Sequence, residues 1–170
     1  MRVVITGGAG FLGRRLALTL LKRGYLLDPD GRESQIKQLV IFDMTAPQPP
    51  LPDDARLQVV SGDITDAQVI QSLITPDTAV IFHLAAVVSA AAEADFDLGM
   101  RVNLTAMQEL LAVCRRLVKP PRFIFASSVA VFGGDLPEVV KDDTALTPQT
   151  SYGAQKAIGE LLVNDYSRKN

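Results

Sequence analysis

The chain has 170 residues, 48% of them apolar, which is enough to bury one real core and excludes a disordered segment. A formal net charge of −2 gives no electrostatic pull toward nucleic acid or an anionic membrane. No apolar run is long enough to span a bilayer, and the N-terminal stretch MRVVITGGAG reaches glycine too soon for a signal peptide.

Residues 2–6, RVVIT, form a β-branched run ending in glycine, the pattern of a buried parallel strand. FLGRRLALTLLKRG has helical spacing, with Leu12, Leu16 and Leu20 on one face and Gly24 as the stop. Residues 26–38 are polar, carry Asp, Pro and Gly, and are expected as loop. LVIFD (39–43) is the second strand, and four prolines in residues 44–54 exclude regular structure there. LQVVSGD (57–63) reads as a strand, DAQVIQSLI (66–74) as a helix and AVIFHLAA (79–86) as a continuous apolar strand. Residues 93–117 predict one long helix, which Pro120 and Pro121 block from extending. Cys114 in this helix is the only cysteine, so no internal disulfide forms and a reducing cytoplasm is the expected compartment. Its expected role is that of a small buried core residue. RFIFASS (122–128) is the last strand, 131–148 is loop, and 151–168 is the last helix. Strands apolar on both faces, alternating with helices, predict a doubly wound α/β fold: a parallel sheet with helices on both faces.

TGGAGFLG places Gly7, Gly10 and Gly13 between the first strand and the first helix. Gly7 permits the tight turn, Gly10 lets the backbone approach a pyrophosphate, and Gly13 allows close packing of the helix. The unpaired N–H groups of the first helical turn then face the phosphates. Asp43 closes the second strand, where a carboxylate accepts hydrogen bonds from an adenosine ribose and repels a 2′-phosphate, favouring NAD over NADP. The polar segment at residues 28–38 accounts for its unusual distance from the glycines. Asp63 ends the third strand, where adenine is expected; the alternative is that Asp63 or Asp66 caps the following helix. His83 is the only histidine, has no nearby His or Cys to suggest a metal, and is expected as a neutral core residue.

Near the end, TPQTSYGAQKAIGELL sets Tyr152 four residues before Lys156. On a helix, such residues share a face, so the ammonium approaches the phenol. A free tyrosine has a pKa of about 10. A positive neighbour favours the tyrosinate and suits Tyr152 to act as a general base. Ser151 is expected to cap this helix.

TGGAGFLG, SGDITD, HLAA, RVNLTA, ASSVAVFGG and SYGAQKAIGE, in that order, resemble the extended short-chain dehydrogenase/reductase family, which includes nucleotide-sugar epimerases and dehydratases. The resemblance covers essentially the whole chain. Within the family, HLAAVVSAAAEADFDLGMRVNL, SSVAVFGGDLPE and LTPQTSYGAQK look most like its D-erythronate dehydrogenase branch. The resemblance implies a Rossmann-type NAD-binding domain over residues 1–170. It also implies that this domain is truncated, with the C-terminal substrate-binding part absent. Catalysis would fall to Ser128, Tyr152 and Lys156. Ser128 would hold the substrate oxygen, Ser127 would lie toward the nicotinamide, and Lys156 would also bond the nicotinamide ribose. Implied cofactor contacts are Gly7, Gly10, Phe11, Leu12, Asp43, Asp63, Ile64, Leu84, Ala85, Ala86, Val87, Tyr152 and Lys156. Asn103 matches an asparagine of the family's fourth helix and is expected to bond backbone near the site or to serve as a buried structural amide. A homodimer through helices four and five is implied, with Phe96, Leu98, Leu110 and Leu161 as core or interface positions. The expected reaction is NAD-dependent oxidation of a small sugar acid at C2 to a 2-oxo acid, without metal, nucleic acid or membrane. Two alternatives stand beside it. One is a nucleotide-sugar epimerase or dehydratase, although Val129 and Ala130 follow Ser128 where dehydratases carry an acidic pair. The other is a non-catalytic NAD-binding module.

Overall fold

Five short apolar runs pair, all parallel, into one sheet of order β5-β4-β1-β6-β7. The strands are β1 (Arg2–Thr6), β4 (Gln38–Asp43), β5 (Leu57–Ser61), β6 (Thr78–His83) and β7 (Arg122–Phe125). The computed structural model describes residues 1–169; Asn170, the last residue of the expected domain, lies outside them. Strand order reverses at β1, because the chain builds β4 and β5 on one side and then crosses to β6 and β7 on the other. Among the described residues β5 and β7 are the sheet's two edges.

The two sides of β1 serve separate cores. Val4, with Val40, Phe42 and Ile81, packs under α2 (Ala67–Leu73) and α5 (Ala106–Arg115). Val3 and Ile5, with Leu39, Ile41 and Val80, pack under α1 (Phe11–Arg23) through Ala17, Leu20 and Leu21. Val3, Val4, Ile5, Leu39, Val40 and Ile41 have no exposed surface. Each such side chain contributes about 1.5–3 kcal/mol relative to exposure. Helices lie on both faces as the pattern predicts, although on the second face Phe82 and Ile124 remain half-buried. Among the described residues no helix is long and apolar enough to cross a membrane.

Several boundaries differ from the sequence expectation. The polar segment after α1 is not all loop: β2 (Tyr25–Leu27) and β3 (Glu33–Gln35) form an antiparallel hairpin. Its turn is closed by Asp28, which accepts from the Arg32 N–H and the Ser34 hydroxyl, and by Gly31 at φ 79°. The strands expected to reach residues 86 and 128 stop at His83 and Phe125, because β1 ends opposite His83 and Gly7 then turns away. The expected helix 93–117 is α3 (Ser89–Ala94), a break at Asp95, α4 (Phe96–Gly99), a π-helical stretch (Met100–Thr105) and α5. Asp95 is extended and caps α4 by accepting from the Leu98 N–H at 2.8 Å. In α1 the buried stripe is Gly13, Ala17, Leu20 and Leu21, while Leu12 is 63% exposed. Leu110 is fully buried core, whereas Phe96 and Leu161 lie on the surface. Cys114 is buried, and desolvation pushes its thiol up to about 12.

Candidate active site

The register aligns the carboxyl ends of four strands in one row: Asp43, Thr6, His83 and Phe125 all lie at or next to the point where pairing stops. The glycine turn, residues 84–87 and Ser127–Ser128 all issue from this edge, at the point where strand order reverses. In open α/β sheets that point is where a crevice forms.

The glycine loop is built by close contact. Gly7 adopts φ 72°, and a Cβ there would fall 2.6 Å from the Ala85 nitrogen. The loop therefore presses directly on the start of residues 84–87. A Cβ on Gly13 would lie 2.2 Å from the Gly7 carbonyl oxygen, so α1 packs tightly on the loop itself. Gly10 differs: a Cβ would meet only the Gly7 oxygen at 3.3 Å, so its outer side is open. Gly10 caps α1 without a side chain, and the first turn carries no acidic residue. Its N–H groups are therefore available to an anion. Asp43 fixes the loop from the neighbouring strand, Oδ2 accepting from the Ala9 N–H at 2.9 Å and Oδ1 from the Met44 N–H.

Phe11 and Leu12 stand exposed at the start of α1. Asp63 is exposed and accepts from the Thr65 N–H at 2.8 Å; bonds from Thr65 hold its carboxyl below the usual range. The cap of α2 is Asp66, which accepts from the Gln68 N–H, so Asp63 is not engaged in that task. The Ile64 side chain is buried in the core, leaving only its backbone to face a ligand. Leu84, Ala85, Ala86 and Val87 are half-buried. Leu84 donates its N–H to the Thr6 carbonyl, and Val87 is gripped by Asn103.

The helix α6 (Ser151–Lys169) carries the Tyr/Lys pair. Its cap is Thr150, which accepts from the Gly153 N–H at 3.0 Å through its hydroxyl and from Ala154 through its carbonyl. Ser151, expected as the cap, instead begins the helix and donates its N–H to Glu93 at 2.6 Å. Tyr152 is half-buried and Lys156 is 3% exposed. The ammonium lies 5.8 Å from the centre of the Tyr152 ring and 4.6 Å from that of Phe125. It donates to the Ala126 carbonyl at 2.9 Å. Burial pushes its pKa down to about 8. It therefore remains mostly cationic at neutral pH while standing poorly solvated beside the phenol.

Ser128 follows the end of β7 and accepts from the Ala130 N–H at 3.2 Å, opening the 3₁₀ turn Val129–Val131. That turn lies on α6 at Gly153, where a Cβ would stand 2.1 Å from the Ala130 oxygen. Gly153 thus brings the Ser128 turn against the helix, one residue from Tyr152. Ser127 is exposed and donates its hydroxyl to Glu160, one turn beyond Lys156. α6 therefore holds two consecutive residues of the strand end, Ala126 through Lys156 and Ser127 through Glu160. Gly153 and Glu160 lie in the motif SYGAQKAIGE, which assigns them no role. A glycine inside a helix marks close backbone approach and was the available signal for Gly153; nothing in the sequence pointed to Glu160.

His83 is fully buried, with Nδ1 2.7 Å from the Thr6 hydroxyl, and desolvation lowers its pKa to about 3. It is a neutral core residue under the site. Among the described residues no group of three His, Cys, Asp or Glu is placed to hold a metal.

Fold and site together define a class: a doubly wound domain with a glycine turn at its switch point and a helix carrying a Tyr/Lys pair. The chain belongs to the NAD dependent epimerase/dehydratase family, whose sequence profile matches residues 3–170. It is 61% identical over 169 residues to a D-erythronate dehydrogenase of Cupriavidus necator, matching 99% of this chain and 51% of that protein. A D-erythronate dehydrogenase of Haemophilus influenzae is 47% identical with the same coverage. The crystal structure of a nucleoside-diphosphate-sugar epimerase from Agrobacterium tumefaciens superposes with a TM-score of 0.88 at 39% identity, over 99% of this chain and 49% of that one. The chain thus spans about half the length of the curated relatives it matches.

Proposed function

We propose that the chain carries the NAD-binding and proton-transfer machinery of a dehydrogenase that oxidises a secondary hydroxyl of a small sugar acid. The observation that carries this reading is the buried Lys156 ammonium, held by Ala126 and set 5.8 Å from the Tyr152 ring beside the glycine crevice. The chain's own residues fit NAD. The open side of Gly10 and the uncapped first turn of α1 suit a pyrophosphate. Asp43 suits a ribose diol and repels a 2′-phosphate. Phe11, Leu12, Asp63, the Ile64 backbone and residues 84–87 complete the wall.

Bound NAD supplies the hydride acceptor for the substrate carbon. Tyr152 is the group placed to take the hydroxyl proton, at its phenolic oxygen. The Lys156 ammonium stands 5.8 Å from the Tyr152 ring and would donate to the nicotinamide ribose. The Ser128 hydroxyl donates to the substrate oxygen and orients it. Losing one hydride and one proton, the alcohol carbon becomes a ketone. The similarity to two D-erythronate dehydrogenases supports D-erythronate as the substrate type and the 2-oxo acid as product. The exposed Phe96, Ile158 and Leu161 support a homodimer through α4, α5 and α6.

The full-length parent is tested by following NADH absorbance with D-erythronate, other sugar acids and UDP-sugars. D-erythronate is expected to turn over, and Tyr152→Phe to lower kcat by about 10²–10⁴-fold, the usual worth of a positioned general base. Near-normal turnover in Tyr152→Phe, or activity on UDP-sugars alone, overturns the assignment.

A further inference from the structure

Between Tyr152 and Lys156 on α6 lies a buried polar residue. Gln155 is 1% exposed, and its Oε1 accepts from the Asn103 amide at 2.7 Å across 52 residues of sequence. Asn103 is 2% exposed and grips both backbone groups of Val87. Its Oδ1 accepts from the Val87 N–H at 2.8 Å, and its Nδ2 donates to the Val87 carbonyl at 3.0 Å. One buried chain of hydrogen bonds thus runs from α6 to the residue 84–87 wall.

This arrangement is locally unfavourable twice over. The Gln155 Nε2 group is buried without a hydrogen-bond partner among the described residues. A buried unpaired donor carries its full desolvation penalty. Asn103 sits within the π-helical stretch, a rare conformation that concentrates at functional sites. The space around Gln155 is also cleared for it: a Cβ on Gly99 would stand 2.8 Å from Nε2. An apolar side chain of the same length would fill that space without an unpaired donor. What glutamine adds is the one acceptor turned toward Asn103. Local rules broken together at one point mark a place where function outweighs stability.

We infer that Gln155 is a positioning residue: through Asn103 it sets Val87 and the cofactor wall at a fixed distance from the Tyr152/Lys156 helix. The inference rests on the cofactor reading proposed above. It predicts an effect on NAD affinity rather than on the chemical step, because the Lys156 and Tyr152 contacts do not pass through Gln155.

The test titrates NAD into the full chain and three variants, with thermal melts alongside. Gln155→Met keeps the volume and removes the acceptor; it is expected to raise the NAD Kd about five- to tenfold, with kcat at saturating NAD changed less than about twofold. Gln155→Glu keeps an accepting oxygen in either protonation state and is expected to hold Kd within about twofold of the parent. Ile36→Val, a core change just before the amino end of β4 and so at the opposite end of the sheet from the glycine turn, is the control for lost stability alone and leaves Kd unchanged. A Gln155→Met protein that binds NAD as the parent does overturns the inference, as does a Gln155→Glu protein as weak as Gln155→Met. Should Gln155→Met fail to fold, Gln155→Glu still decides: parent-like affinity supports the link and weakened affinity overturns it. A parent that binds no NAD overturns the cofactor reading and this inference with it.

Discussion

Thr6 and His83 face each other at the last paired position of β1 and β6, directly beneath the crevice. Burial holds the imidazole neutral, with a pKa of about 3 against the ordinary 6.5 of a free histidine. The sign follows from linkage. Below pH 6.5 the unfolded chain takes up a proton that the folded chain refuses until about pH 3. Stability is therefore complete above 6.5 and declines as pH falls, at up to about 1.4 kcal/mol per pH unit. Urea unfolding of the full chain is expected to lose about 1.5–2 kcal/mol between pH 6.5 and 5 from this group. Since His83 is the only histidine, His83→Gln should flatten that slope; an equal slope in the variant rejects the account. Residues of this kind were legible in the sequence where a residue type has few alternatives. A lone histidine ending an apolar strand has to be neutral, and a Tyr and Lys four apart have to share a helix face. Gln155 and Asn103 were not read as a pair, because nothing local couples positions 52 residues apart.

The glycine turn separates steric need from binding need. A methyl at position 13 meets the Gly7 oxygen and the Gly8 Cα at 2.2 and 2.6 Å, both backbone atoms that cannot swing aside. Gly13→Ala is expected to destabilise by about 1–3 kcal/mol, as overpacking does. A methyl at position 10 meets only one atom at 3.3 Å. Gly10→Ala should melt within a few degrees of the parent yet bind NAD at least about tenfold more weakly, since it occupies the approach to the pyrophosphate. Melting curves with and without NAD distinguish the two; equal NAD-induced shifts in Gly10→Ala and parent reject the assigned role. At this scale the sequence read well wherever hydrophobic runs were continuous, as in β1 and β4. It failed at β2 and β3, whose alternation covers only three residues each on an exposed surface. It failed again at the ends of β6 and β7, because a strand stops where its neighbour stops, and a single segment does not contain that information.

At the scale of the whole molecule, α4 and α6 both carry large apolar side chains open to solvent. Phe96, Ile158 and Leu161 are 57%, 39% and 63% exposed, and Ala154, Ile158 and Leu161 recur at helical spacing on α6. If a second copy covers this stripe, light scattering on the full chain gives twice the chain mass at micromolar concentration, and Leu161→Glu halves it without lowering the melting temperature. A parent of single-chain mass rejects the dimer. The parallel sheet followed from the alternation of strand and helix alone. The stripe did not, because Leu110 and Leu161 look alike in a helical pattern although one is fully buried and the other open to solvent.

The outer margin of β7 has a further consequence. Among the described residues its four members, Arg-Phe-Ile-Phe, pair with β6 on one side only, so the other side offers a short row of amide and carbonyl groups beside aromatic surface. A further parallel strand of matching character can extend the sheet there.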